Sequence, residues 1–238
     1  MPRARFNEQN DWQTAAALEN GSGCLSLYSL SIIGVLVITG LITVLALHAP
    51  PIPVRTAAPS QASLQSDLAT TVSSLSPIFT HEIQYWAKDI SRWSATSALD
   101  PNLIAVVMQI ESCGDPRARS RSDAKGLFQV MPFHFHFGED AYDPETNALR
   151  GMNYLARSFK AANGNVRLAL AGYNGGIGVI SRAEWMWAAE TKRYVYYGMP
   201  IYEDAHNGKT SSQMLEEWYR KYGAGLCRQA SERLGLAP

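Results

Sequence analysis

Residues 101–132, PNLIAVVMQIESCGDPRARSRSDAKGLFQVMP, decide how this chain is read. Asp100 followed by Pro101 is a favourable helix start, since the Asp side chain can cap free amides and proline suits the first helical position. Leu103, Val107 and Ile110, with Ile104 and Met108 beside them, repeat at helical spacing and leave the helix apolar on most sides. Such a helix is buried. Gly114 and Pro116 then stop it. Glu111 therefore falls in the last turn, where outward-pointing carbonyls disfavour a negative charge and the preceding apolar residues remove water. Both effects raise its pKa, and a carboxyl held protonated near neutral pH is what a general acid for glycosidic cleavage needs. A solvated glutamate at a helix end is the plain alternative, and the neighbouring residues decide between them.

Downstream, Gly126 lets backbone approach a ligand and Gln129 can both donate and accept hydrogen bonds, although both could serve only as turn residues. Phe133, His134, Phe135, His136 and Phe137 alternate next. Two histidines without a third ligand or a carboxylate pair do not make a metal site, so alternating aromatics at the edge of a cleft are expected, and no metal or cofactor. Asp143 and Pro144 open a scaffold helix carrying Ala148, Met152, Leu155 and Phe159 and ending at Gly164. Asn165 caps a shorter helix through Leu170, which delivers Tyr173 and Asn174 to a turn made permissive by Gly175 and Gly176. A tyrosine ring packs on the apolar face of a sugar, while amide and hydroxyl groups pair with N-acetyl groups and ring hydroxyls.

Toward the N-terminus, Ser76 and Pro77 open a first core helix with Phe79, Ile83, Trp86, Ile90 and Trp93 on one face. Residues 50–75, with Pro50, Pro51, Pro53 and Pro59, form a Pro/Ser/Ala-rich linker that cannot bury a core. Residues 25–49 lack any charge and are long enough to cross a bilayer, so a single transmembrane helix is expected there, behind a tail of residues 1–24. A cleaved signal peptide is the rival reading of that segment, but the apolar run is longer than a usual signal core. Arg3 and Arg5 favour the N-terminus inside, which puts residues 76–238 on the extracytoplasmic side. The final part carries a helix capped at Thr210 with Gln213 three positions on, packed by Leu215, Trp218 and Tyr222, and a last helix over residues 226–234. The 238 residues carry 21 Lys and Arg against 21 Asp and Glu, so no basic field exists to hold nucleic acid.

Glu111-Ser112 at a helix end, the run from Gly126 to Pro132, Ala-Gly-Tyr-Asn-Gly-Gly at 171–176 and Glu-Thr-Lys-Arg-Tyr-Val at 190–195 together resemble the soluble lytic transglycosylase (SLT) domain, which is related to goose-type lysozyme. The resemblance covers roughly residues 76–200, with four motifs in order. It implies a mainly α, lysozyme-like catalytic domain, here behind the single N-terminal transmembrane helix, with a cleft for peptidoglycan strands of alternating N-acetylglucosamine and N-acetylmuramic acid. In that family Glu111 would be the acid and then the base. Ser112 would orient it or bind substrate, and Gly126, Phe128, Gln129, Met131, Tyr173, Asn174 and Tyr194 would bind the glycan. The family more often has Met where Phe128 stands and Ala where Gly172 or Gly176 stands, which changes the cleft wall and not the chemistry.

The resemblance also implies substrate assistance: the muramoyl N-acetyl group stabilises the cation and the sugar's own C6 hydroxyl attacks, leaving a 1,6-anhydromuramoyl end. A lysozyme-type hydrolase of the same bond would need a group to position water, for which Asp123 or Asp140 are the candidates. A non-catalytic peptidoglycan-binding module in an envelope or secretion assembly is a third reading, which a desolvated acid argues against. Cys113 and Cys227 both fall in the compartment that permits disulfides, and a bridge between them is expected to pin the terminal helix behind the catalytic loop. Cys24 follows Gly21-Ser22-Gly23, which is not the apolar approach to a lipidated cysteine.

Overall fold

The computed structural model describes residues 75–236. The expected tail at 1–24, anchor at 25–49 and all but the last residue of the linker at 50–75 lie outside the described residues. Among those described, no helix is long and apolar enough to cross a membrane.

Among the described residues the architecture is helical: α1 (His81–Tyr85), α2 (Ala87–Ser97), α3 (Pro101–Ser112), α4 (Pro144–Ala161), α5 (Val166–Gly175), α6 (Ala189–His206), α7 (Gln213–Trp218) and α8 (Ala224–Leu234). The central element is α3. Asp100 caps it by accepting from the Asn102 amide at 2.7 Å, and all twelve of its residues are buried. It packs between α2 and α6, with α8 against its C-terminal end, while α5 packs between α4 and α6. Burying an aliphatic side chain of the Leu103, Ile104 or Val107 kind contributes about 1.5–3 kcal/mol, so this helix anchors the core.

Several local expectations shift. The first core helix does not open at Ser76 and Pro77. Those residues lie in a turn, α1 begins after Thr80, and the chain breaks at Trp86 before α2. The Trp86 indole donates to the Gly114 carbonyl at 2.9 Å, which ties that break to the end of α3. The expected buried face of Phe79, Ile83, Trp86, Ile90 and Trp93 is nonetheless in the core. Ser212, not Thr210, caps α7 by accepting from the Leu215 amide at 3.2 Å, and a π-helical turn over Tyr219–Gly223 joins α7 to α8.

Candidate active site

The end of α3 is held from several sides. Cys113 takes a left-handed φ of 52° and ends the helix, and its sulfur is bonded to Cys227 of α8, with the two Cα atoms 5.0 Å apart. Ser112 is fully buried; its hydroxyl donates to the Leu127 carbonyl at 2.7 Å and accepts from the Gly114 amide at 3.1 Å. The helix end is thereby fastened to the loop that follows it. That loop is closed by reciprocal backbone bonds between Lys125 and Val130, at 3.0 and 2.9 Å. Asn147 of α4 clamps it from behind, donating to the Lys125 and Ala141 carbonyls and accepting from the Phe128 amide.

Glu111 lies at the floor of a cavity of about 360 Å³, with Gln129, Met131, Tyr173, Asn174 and Glu190 among its lining. The carboxyl is pushed up to about 8, chiefly by burial, with the charge of Glu190 adding to the rise. The Tyr194 hydroxyl is buried beside Glu111 and favours the charged form somewhat. It completes no hydrogen bond of ordinary geometry among the described residues. Burial and the Glu111 charge in turn hold the phenols of Tyr173 and Tyr194 well above their ordinary range. A protonated carboxyl and a second carboxylate therefore face one cavity, with the Tyr194 phenol buried beside the first. This arrangement can deliver a proton to a leaving oxygen and then receive one back.

The residues expected at the site separate into two groups. Glu111, Gln129, Met131, Tyr173 and Asn174 line the cavity; Ser112, Gly126, Phe128 and Tyr194 do not. Tyr194 is 3% exposed and reaches Glu111 from below the surface. The Ser112 hydroxyl is taken up by the backbone and has no path to a ligand, so its role is to fasten Glu111's helix to the loop. The close approach that Gly126 permits is to protein: at φ +73°, an added Cβ would sit 2.4 Å from the Asn147 amide nitrogen. The Phe128 ring is buried against Trp93, with centroids 5.8 Å apart, and only its carbonyl faces the site, accepting from the Tyr173 hydroxyl at 2.7 Å.

The helix expected to end at Leu170 continues to Gly175, so Tyr173 and Asn174 project from its last turns and not from a loop. Asn174 accepts from the Thr191 hydroxyl at 2.9 Å and donates to Glu190 at 3.4 Å, which joins α5 to the start of α6. Neither carboxylate suggested for positioning water is in the cavity. Asp123 pairs with Arg119 at 2.6 Å and with Lys125 at 3.7 Å, and Asp140 is an exposed turn residue accepting from the Tyr142 amide. The second carboxylate of the lining is Glu190. Sequence reasoning treated it only as part of a motif, yet it stands four residues before Tyr194 and so on the same face of α6. Phe133 and His134 of the run expected at the cleft edge line it too, whereas Tyr154 and Arg157 were not foreseen as site residues.

Among the described residues, one group of three potential metal ligands exists, Glu82 with Cys113 and Cys227. The disulfide removes both thiolates from it.

Residues 88–195 match the family model described as transglycosylase SLT domain. A transglycosylase of Enterobacteria phage PRD1 is 39% identical over 114 residues, which cover 47% of this chain and 40% of that protein. A membrane-bound lytic murein transglycosylase C of Edwardsiella ictaluri is 33% identical over 115 residues, covering 39% of this chain and 32% of that protein. The chain thus spans two fifths or less of the length of these curated relatives. Among solved structures, an inactive mutant of the lytic transglycosylase Slt from Pseudomonas aeruginosa is 25% identical, covering 56% of this chain and 26% of that one, at a TM-score of 0.43.

Proposed function

We propose, on the premise that residues 88–195 are a transglycosylase SLT domain, that this chain is a peptidoglycan lytic transglycosylase with Glu111 as its acid and then its base. The observation that carries the proposal is a carboxyl raised to about 8 at the floor of a cavity. At neutral pH it is mostly protonated, as cleavage of a glycosidic bond requires.

Glu111 gives its proton to the oxygen linking C1 of N-acetylmuramic acid to the next N-acetylglucosamine, and the C1–O bond breaks through an oxocarbenium-like state. The muramoyl N-acetyl group shields C1, and the muramoyl C6 hydroxyl then attacks it. Its proton passes to the Glu111 carboxylate as the new C–O bond closes a 1,6-anhydro ring. The proton lost in the first half returns in the second, and no water is consumed. Glu190 supports this cycle by placing a second negative charge in the same cavity, which keeps Glu111 protonated between turnovers. Tyr173 and Asn174 offer a ring and an amide to the sugars. The unsatisfied Tyr194 hydroxyl is available to Glu111 once that group is ionised, a point at which a donor helps most.

A hydrolase of the same bond is the second reading, and Glu190 in the lining is the observation that favours it over the aspartates first considered. The domain boundaries proposed are residues 76–238 for the catalytic part with its helical extension and residues 25–49 for a membrane anchor, so that the domain faces the wall from outside the cytoplasm. Loss of turbidity of a peptidoglycan suspension tests the activity, with Glu111→Gln as control. Removal of the acid should cost on the order of a hundredfold to ten-thousandfold in rate. Full activity in that variant would remove Glu111 from the mechanism.

A further inference from the structure

The cavity over Glu111 opens along a ladder of rings into a second compartment. Tyr173 meets Tyr154 at 5.6 Å between centroids, Tyr154 meets His134 at 4.8 Å, and His134 meets Phe133 at 4.4 Å. Phe133 is 67% exposed at the outer end. The ladder leads from a buried acid to solvent. Beyond Tyr154 lies a space of about 580 Å³ that shares Phe133, His134, Tyr154 and Arg157 with the first cavity.

Among the described residues, no carboxylate lines this second space. One face of α4 supplies Arg150, Asn153, Arg157 and Lys160, which recur every three or four residues, and His136 stands opposite on the loop. Arg150 is already neutralised by Glu139. Arg157 lies over the Tyr154 ring at 5.5 Å, and neither it nor Lys160 has an acidic partner among the described residues. Burial and the Arg157 charge also push His134 below its ordinary range, so the ladder itself is neutral and the positive charge resides on α4. A neutral sugar has no use for two uncompensated cations beside an aromatic path. A carboxylate does.

We propose that this compartment is a carboxylate-binding subsite, in which Arg157 and Lys160 hold free carboxylates of the peptide stem carried by the muramoyl residue while the sugars follow the ring ladder. The inference rests on the glycan-cleaving reading of the first cavity and extends it to the substituent of the substrate. The lactyl arm of N-acetylmuramic acid projects away from the glycan, and its stem ends in carboxylates. Arg157, at the junction, lies nearest the reacting sugar; Lys160, in the outer compartment alone, lies farther along the stem.

The test is calorimetric binding of two soluble ligands, the disaccharide with its peptide stem and the same disaccharide without it, to the full chain carrying Glu111→Gln. The stem-bearing ligand should bind about tenfold tighter, a modest preference because the cations are exposed. Adding Arg157→Gln and Lys160→Gln should bring the ratio close to one, and Arg157→Lys in place of Arg157→Gln should restore part of it. Both cationic side chains are exposed, so the substitutions leave the core intact. A ratio unchanged by the double substitution, or an equal weakening of both ligands, would overturn the subsite. The parent reading is scored separately by release of muropeptides: a chain that cleaves glycan but shows no stem preference loses the subsite alone, whereas one that neither binds nor cleaves loses both.

Discussion

Replacing Glu111 by glutamine should remove the chemistry and, at alkaline pH, stabilise the fold. The folded carboxyl is raised from 4.5 to about 8, first by burial and then by the Glu190 charge. Between these values the folded chain holds a proton that the unfolded chain has released, so unfolding becomes easier as pH rises through that window. At about 1.36 kcal/mol per pH unit, the displacement bounds the loss at about 5 kcal/mol, complete above pH 8 and absent below 4.5. Glutamine keeps the shape and never ionises. Denaturant unfolding of the two proteins at a series of pH values is the assay, since groups that do not feel the Glu111 charge titrate alike in both and cancel. The curves should coincide within about 1 kcal/mol near pH 4 and separate by several kcal/mol near pH 9, with the variant the more stable. A difference independent of pH, or a variant less stable at pH 9, would refute the claim that Glu111 is held protonated by its surroundings.

Glu190→Gln removes a charge that raises Glu111, so the alkaline limb of the pH–rate profile for peptidoglycan clearing should move to lower pH. Tyr194→Phe deletes a buried hydroxyl that has no partner among the described residues while Glu111 is protonated, so chemical denaturation near neutral pH should show stability unchanged or higher by up to about 1 kcal/mol. In that variant the same alkaline limb should move upward, because the phenol favours ionised Glu111. Asn147→Ala breaks two hydrogen bonds that clamp the 125–128 loop and a third to the Ala141 carbonyl, and should cost about 3 kcal/mol, with faster amide exchange at Phe128 as the local sign. Reducing the Cys113–Cys227 bridge frees a sequence separation of 114 residues and should lower stability by about 4–5 kcal/mol, read as a fall in melting temperature with reductant.

The parts of the site legible in the sequence are those set by local chemistry. Asp100, Pro101 and the apolar run to Ile110 specify a capped, buried helix by themselves, and Glu111 falls in its last turn by counting. Asn165 and Asp143 announce their helices for the same reason, each accepting from an amide three residues on. What could not be read depends on partners distant in sequence. Phe128 belongs to the core because Trp93 and Gly151 receive its ring from two other helices. The hydroxyl of Ser112 turns away from the cavity because the Leu127 carbonyl lies within reach behind it. The helix carrying Tyr173 and Asn174 outlasts Leu170 because Gly175, having no side chain, lets it close against Thr191 of α6. Glu190 was hidden for a different reason. Its spacing from Tyr194 was on view, but only the burial of both beside Glu111 reveals a second carboxylate at the cavity.

The most direct test of the central claim is mass spectrometry of the muropeptides that the full chain releases from peptidoglycan. Attack by the C6 hydroxyl predicts 1,6-anhydromuramoyl ends, each lighter by one water than the hydrolysed product, and their loss with Glu111→Gln. Reducing ends in their place would contradict the transglycosylase account and identify a hydrolase, with Glu190 as the first residue to replace.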